Sequence, residues 1–124
     1  MPKPLLVIDA ANVVGSVPDG WWRDRAGATT RLRDSLAGLA ATGLPQTGSP
    51  IDVILVVEGK ARTVTSSDTI HVHVAPHSGD DAIVDLVADE STSGRPIYVV
   101  TADRGLQRRV APYVAEILGP HSVR

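Results

Sequence analysis

Four aspartates stand at positions where acidic side chains could act together: Asp9, the pair Asp80 and Asp81, and Asp103. Asp9 closes the apolar run Leu5-Leu6-Val7-Ile8. Asp80 and Asp81 follow Ser78-Gly79, and Asp103 follows Tyr98-Val99-Val100-Thr101-Ala102. Carboxylates held close together repel, and each raises the pKa of the others unless a cation lies between them. Hard oxygen donors without thiolates suit Mg²⁺ or Mn²⁺. Such ions clamp the oxygens of a phosphodiester and activate water. Each aspartate also has a plainer role available. Asp103 is a good helix N-cap, Ser78 and Asp81 have the spacing of a capping box, and Asp9 can accept from turn amides. Capping alone does not require three segments to deliver their carboxylates to one place.

Other catalytic frameworks are missing. There is no Gly-x-x-x-x-Gly-Lys-Ser/Thr loop, no Gly-x-Gly-x-x-Gly after the first apolar run, and no Gly-x-Ser-x-Gly elbow. Ala11, two residues after Asp9, breaks the Asp-x-Asp pattern of aspartyl phosphatases. With no cysteine there is no disulfide framework, thiolate metal site or Cys nucleophile. The four histidines do not form a zinc spacing on a helix, and His71 and His73 read as two residues on the exposed face of one strand.

The elements that must position the acids follow from the hydrophobic pattern. Apolar runs over residues 5–8, 53–57 (in a strand over 51–57) and 97–100 predict strands covered on both faces. Residues 70–74 alternate, with Ile70, Val72 and Val74 on one side and the two histidines on the other, as in an edge strand. Helices are predicted over 29–41, 80–90 and 103–111, with a turn or short helix over 10–12 and a last short strand over 115–118. Residues 17–27, 43–50 and 76–79 carry the Gly and Pro of connections. The order β-α-β-β-α-β-α-β predicts an α/β fold of three layers, with a mainly parallel central sheet and helices on both faces. In such sheets the site lies at the carboxyl ends of the strands, and that is where all three acidic segments fall. A length of 124 residues suits a single domain over 1–124, and the 43% of hydrophobic residues suffices to fill its core. The first apolar run ends too soon for a signal peptide or a membrane span, so a cytoplasmic location is expected.

Three segments resemble those of the PIN-like NYN family. Leu6-Val7-Ile8-Asp9-Ala10-Ala11-Asn12-Val13-Val14 is similar to its opening strand, in which an Asp is followed by an Asn three residues on. Ser78-Gly79-Asp80-Asp81-Ala82-Ile83-Val84 resembles its second acidic segment, and Val99-Val100-Thr101-Ala102-Asp103-Arg104-Gly105-Leu106 its third. The trio spans nearly the whole chain in the family's order. The resemblance implies a PIN-like fold and a metal-dependent nuclease, usually acting on RNA. It places Asp9, Asp80, Asp81 and Asp103 at a Mg²⁺ or Mn²⁺ site and gives Asn12 a polar orienting role. The chain departs from the pattern after Asp103, where only Glu116 is available as a further acidic ligand. Glu58 stands where the family often has a polar or acidic residue, and Asp85 lies one turn beyond Asp81.

Basic residues flank the acidic segments: Arg23, Arg25 and Arg31, then Lys60 and Arg62, then Arg104, Arg108 and Arg109. Phosphate contacts from such side chains give sequence-independent affinity for nucleic acid. The competing expectation is surface charge paired with Asp24, Asp34 and Asp52. Trp21-Trp22 can stack on bases of a single strand or close a lid over the core. The reading is a ribonuclease acting on RNA, in single-stranded form. Its alternatives are the toxin of a toxin–antitoxin pair, a catalytically silent RNA-binding domain, and a phosphohydrolase of free nucleotides. An antitoxin or a second copy is the protein partner these readings admit.

Overall fold

The computed structural model of the chain describes residues 2–124. Four apolar side chains in unbroken succession need cover above and below, and strand β1 (Leu5–Asp9) has both. Leu6 and Ile8 point into one core layer, Leu5 and Val7 into the other. The sheet continues through β2 (Asp52–Val57), β3 (His71–Val74), β4 (Ile97–Val100) and β5 (Glu116–Leu118) in the spatial order β3-β2-β1-β4-β5. All four strand pairings are parallel. The first layer is covered by α1 (Ala10–Val14), α2 (Arg25–Ser35) and α3 (Leu39–Thr42), which contribute Val13, Val14 and Leu32 with Leu39 alongside. On the other face α4 (Gly79–Glu90) and α5 (Arg104–Val110) bury Ile83, Val87, Leu106 and Val110. The expected three-layer α/β fold is therefore present, and the sheet is wholly parallel.

The helix expected over 29–41 is two helices with an earlier start. Asp24 caps α2, its Oδ1 accepting from the Gly27 amide at 2.9 Å, which brings the first turn forward to Arg25. The far end breaks because the backbone tightens there: the Ala37 amide bonds the Asp34 carbonyl and the Leu39 amide bonds that of Leu36, while the Ser35 hydroxyl donates to the Leu32 carbonyl. Ile70, just before β3, and Val72 on it are buried as expected, but Val74 is 44% exposed at the end of this edge strand. Among the described residues no helix is long and apolar enough to cross a membrane.

The topology decides where a site can form. From β1 the chain moves outward to β2 and β3, then returns through α4 to lay β4 on the other side of β1. Strand order reverses between β1 and β4, and the crevice outside their carboxyl ends is the position where open α/β sheets bind ligands.

Candidate active site

Asp9 ends β1 at that crevice and is only 6% exposed. Its Oδ1 accepts from the Asn12 amide at 3.3 Å, which caps α1, and its Oδ2 accepts from the Thr101 hydroxyl at 3.0 Å. Thr101 follows β4 and is fully buried. Its hydroxyl oxygen accepts from the Asp103 amide at 3.1 Å, and its carbonyl takes the Gln107 side-chain amide at 3.0 Å. The Asn12 side-chain oxygen accepts from the Ala102 amide at 2.8 Å. Two hydrogen bonds, Thr101 to Asp9 and Ala102 to Asn12, thus stitch the corner after β1 to the corner after β4. Asp103 caps α5, its Oδ1 accepting from the Leu106 amide at 3.0 Å.

The third acidic segment arrives on α4. Ser78 caps this helix, its hydroxyl accepting from the Asp81 amide at 3.4 Å. A second carboxylate reaches the same helix start: Glu58, just past β2, accepts from the Gly79 amide at 2.7 Å. A Cβ at position 79 would stand 3.0 Å from the Glu58 carboxyl, so a larger residue there would press on this contact. Anions at a helix N-terminus interact favourably with its dipole, yet here they also crowd one another. Burial pushes the Asp9 carboxyl from 3.8 up to about 6. The hydrogen bonds from Thr101 and Asn12 oppose the shift, and the charges of Asp80 and Glu58 add to it. The Asp80 carboxyl is raised too, first by burial and then by Asp103 and Glu58, with Arg109 opposing.

Of the acidic residues singled out in the sequence, Asp9, Asp80 and Asp103 share one field, together with Glu58. Asp81 lies on the exposed side of α4, where its charge adds least to the shift of Asp80 and its Oδ1 accepts from Arg109 Nη2 of α5 at 2.8 Å. Asp85 is exposed on α4, and Glu116 opens β5 opposite Tyr98, two residues short of the strand's carboxyl end. Thr101 and Glu58 join the site without a role read from the sequence. The Thr-x-Asp pattern and the acid closing the second apolar run are the signals that point to them. Among the described residues no three carboxylate or imidazole groups already close on a common point as metal ligands. The donor chemistry nonetheless fits a hard divalent cation: carboxylate oxygens only, two of them held at raised pKa partly by mutual repulsion.

The candidate phosphate-binding residues Arg23, Arg25, Lys60, Arg62, Arg104 and Arg108 are all exposed. None takes part in a salt bridge among the described residues, whereas Arg33, Arg95, Arg109 and Arg124 each do. The expected pairing of basic residues with Asp34 and Asp52 occurs, but through Arg33, Arg95 and Lys3. Trp21 packs partly buried against the core as a lid, and Trp22 is 53% exposed beside it, the rings edge to face at 5.9 Å.

No protein-family model and no curated protein matches this sequence. Solved structures do match in fold. The structure of Rae1 (YacP) from Bacillus subtilis superposes with a TM-score of 0.74 at 18% identity, over 99% of this chain and 71% of that one. Its W164L mutant gives a TM-score of 0.73 at 17% identity, over 98% and 72%. At these identities the likeness is one of fold, and it extends over essentially the whole of this chain.

Proposed function

We propose that the protein is a metal-dependent ribonuclease of the PIN-like NYN type, hydrolysing phosphodiester bonds of single-stranded RNA with Mg²⁺ or Mn²⁺. One observation carries this reading: a buried carboxylate at the strand-order reversal, hydrogen-bonded by Thr101 and within the field of Asp80 and Glu58, with Asp103 acting on Asp80 in turn. The ordered motif trio and the fold likeness support it. Asp9, Asp80 and Asp103 would hold the cation, with Glu58 beside them and Asp81 at the rim. When bound, the cation polarises the phosphate and lowers the pKa of water. The chain's own groups prepare the site. Thr101 fixes the Asp9 carboxylate through one oxygen, and Asn12 positions the turn leading to Asp103. The unpaired arginines and Lys60 at the rim supply cations for the phosphates on either side.

Incubating end-labelled single-stranded RNA with the protein and Mn²⁺, alongside free nucleoside triphosphates, tests the proposal. Cleavage of the oligomer, lost on chelation and in Asp9→Asn, is the expected result. Activity confined to free nucleotides would make the protein a nucleotide phosphohydrolase. RNA binding without cleavage under either metal would make it a silent RNA-binding domain.

A further inference from the structure

Beside the carboxylates lies a cavity of about 370 Å³ between α1, the start of α2 and the end of β2. Its lining residues include Ala11, Val14, Val57, Trp21, Arg25 and Glu58. The Arg25 guanidinium carbon lies over the Trp21 ring, 5.3 Å from its centroid, and no carboxylate pairs with it among the described residues. Small-molecule sites start at about 300 Å³ and combine apolar walls with a few placed polar groups. A space of this size takes one base or nucleoside and not a length of strand. Glu58 belongs both to this cavity and to the acidic cluster, and Ala10, which also lines the cavity, is the neighbour of Asp9. Whatever enters is therefore covalently within reach of a phosphate at the carboxylates.

We propose that this cavity receives a single unstacked base of the RNA, next to the bond being cut, with Trp21 and Arg25 as its stacking wall. The proposal rests on the ribonuclease reading and adds to it. Planar guanidinium and indole groups bind any base through its π-face. Arg25 offers donors and Glu58 offers an acceptor to the base edge, so the cavity can also prefer one base. A base held in this way must leave its stack, which restricts the enzyme to unpaired RNA. Arg25 and Trp21 would be binding and specificity residues, with no part in the chemical step.

Two measurements test this. In EDTA, without metal, the Trp22→Phe protein reports Trp21 alone by fluorescence. Titration with AMP, GMP, CMP and UMP should give a saturable change for at least one. Ala11→Leu, which fills the cavity from an exposed position on α1, should weaken that binding about tenfold or more, and Arg25→Ala, a separate exposed substitution, should weaken it as well. With Mn²⁺, a single abasic nucleotide walked along an RNA oligomer should depress cleavage at one position relative to the cut. Ala11→Leu should raise KM for intact RNA more than it lowers kcat. Cleavage indifferent to abasic sites, or nucleotide binding unchanged in both variants, overturns the cavity proposal and leaves the ribonuclease standing. Nucleotide binding lost in both variants, from a protein that cuts no RNA, upholds the cavity and removes the ribonuclease.

Discussion

The two ends of the sheet carry the same kinds of charge and treat them in opposite ways. At the amino end, Arg95 is mostly buried and contacts Asp52 at 2.7 Å and Glu90 at 3.0 Å, with Lys3 3.9 Å from Asp52. Each of these four charges has an opposite partner. At the carboxyl end, Asp9, Asp80, Asp103 and Glu58 face one another, the cationic influence on Asp80 comes from Arg109, and Arg104 and Arg108 carry no ion pair among the described residues. A fold selected for stability alone would compensate both ends, since uncompensated buried charge is costly. The difference is what the proposed function requires of the carboxyl end, where a bound cation would complete the charge balance.

The largest effect expected from breaking this contrast is on cleavage. Asp103→Asn keeps a good helix cap, because Asn caps nearly as well as Asp, and it removes one of the repelling charges. Metal-free thermal stability should hold or rise. RNA cleavage with Mn²⁺ should fall about a hundredfold or more, because a hard cation needs the anionic oxygen. Wild-type cleavage by this variant would reduce Asp103 to a cap, and parallel losses of stability and activity would mean the substitution had disturbed folding.

The next effect is on stability against pH in EDTA. The Asp9 carboxyl titrates near 6 in the fold against 3.8 unfolded, so the native state holds that proton more tightly. The stabilisation is fully present below about pH 4 and is lost as pH rises through about 6. Asp9→Asn carries no such titration. Chemical denaturation should show the variant gaining about 2–3 kcal/mol on wild type between about pH 4 and pH 7. A constant difference across that range would mean that Asp9 is ionised without strain.

At the compensated end the consequences should be structural only. Arg95→Ala removes charged hydrogen bonds to Asp52 and Glu90 and should lower unfolding free energy by about 1–2 kcal/mol, with cleavage per folded molecule unchanged. A specific loss of cleavage would extend the functional surface to the opposite end of the sheet. The smallest effect should come from Arg104→Ala with Arg108→Ala. RNA affinity should weaken and the log–log salt slope should flatten by about 0.7 for each phosphate that is no longer neutralised. An identical slope would make these two residues ordinary surface charge.

The strands and the acidic trio were legible because they rest on local signals. Apolar runs mark the strands, an acidic residue closes or soon follows β1, β2 and β4, and parallel topology brings strand ends together wherever the chain places them in sequence. Thr101 and Glu58 were named in the sequence without roles, because those roles exist only across long separations: Thr101 reaches Asp9 from 92 residues away, and Glu58 reaches the Gly79 amide from 21. Local pattern marks both positions, but it does not say which distant group each will bond. The capping and functional readings of Asp9 and Asp103 do not compete, since both residues cap a helix while sharing the acidic field. Helix α2 begins early because the cap at Asp24 outweighs the loop signal of Gly27. Asp81 looks equivalent to Asp80 in sequence, but helical rotation turns it toward Arg109.

The central position of β1 also has a consequence for how the chain is made. This strand is made before the other four, yet one neighbour, β2, begins at Asp52 and the other, β4, at Ile97. At about 5–20 residues per second, β4 follows roughly 5–20 seconds later. For most of that interval Leu5-Leu6-Val7-Ile8 lacks a strand on one edge and lacks α4 over one face, and α5 arrives only after β4. The segment that ends up best hidden in the finished molecule is therefore the one most exposed to mispairing during translation, and substitutions that slow the arrival of β4 should reduce soluble yield before they reduce equilibrium stability.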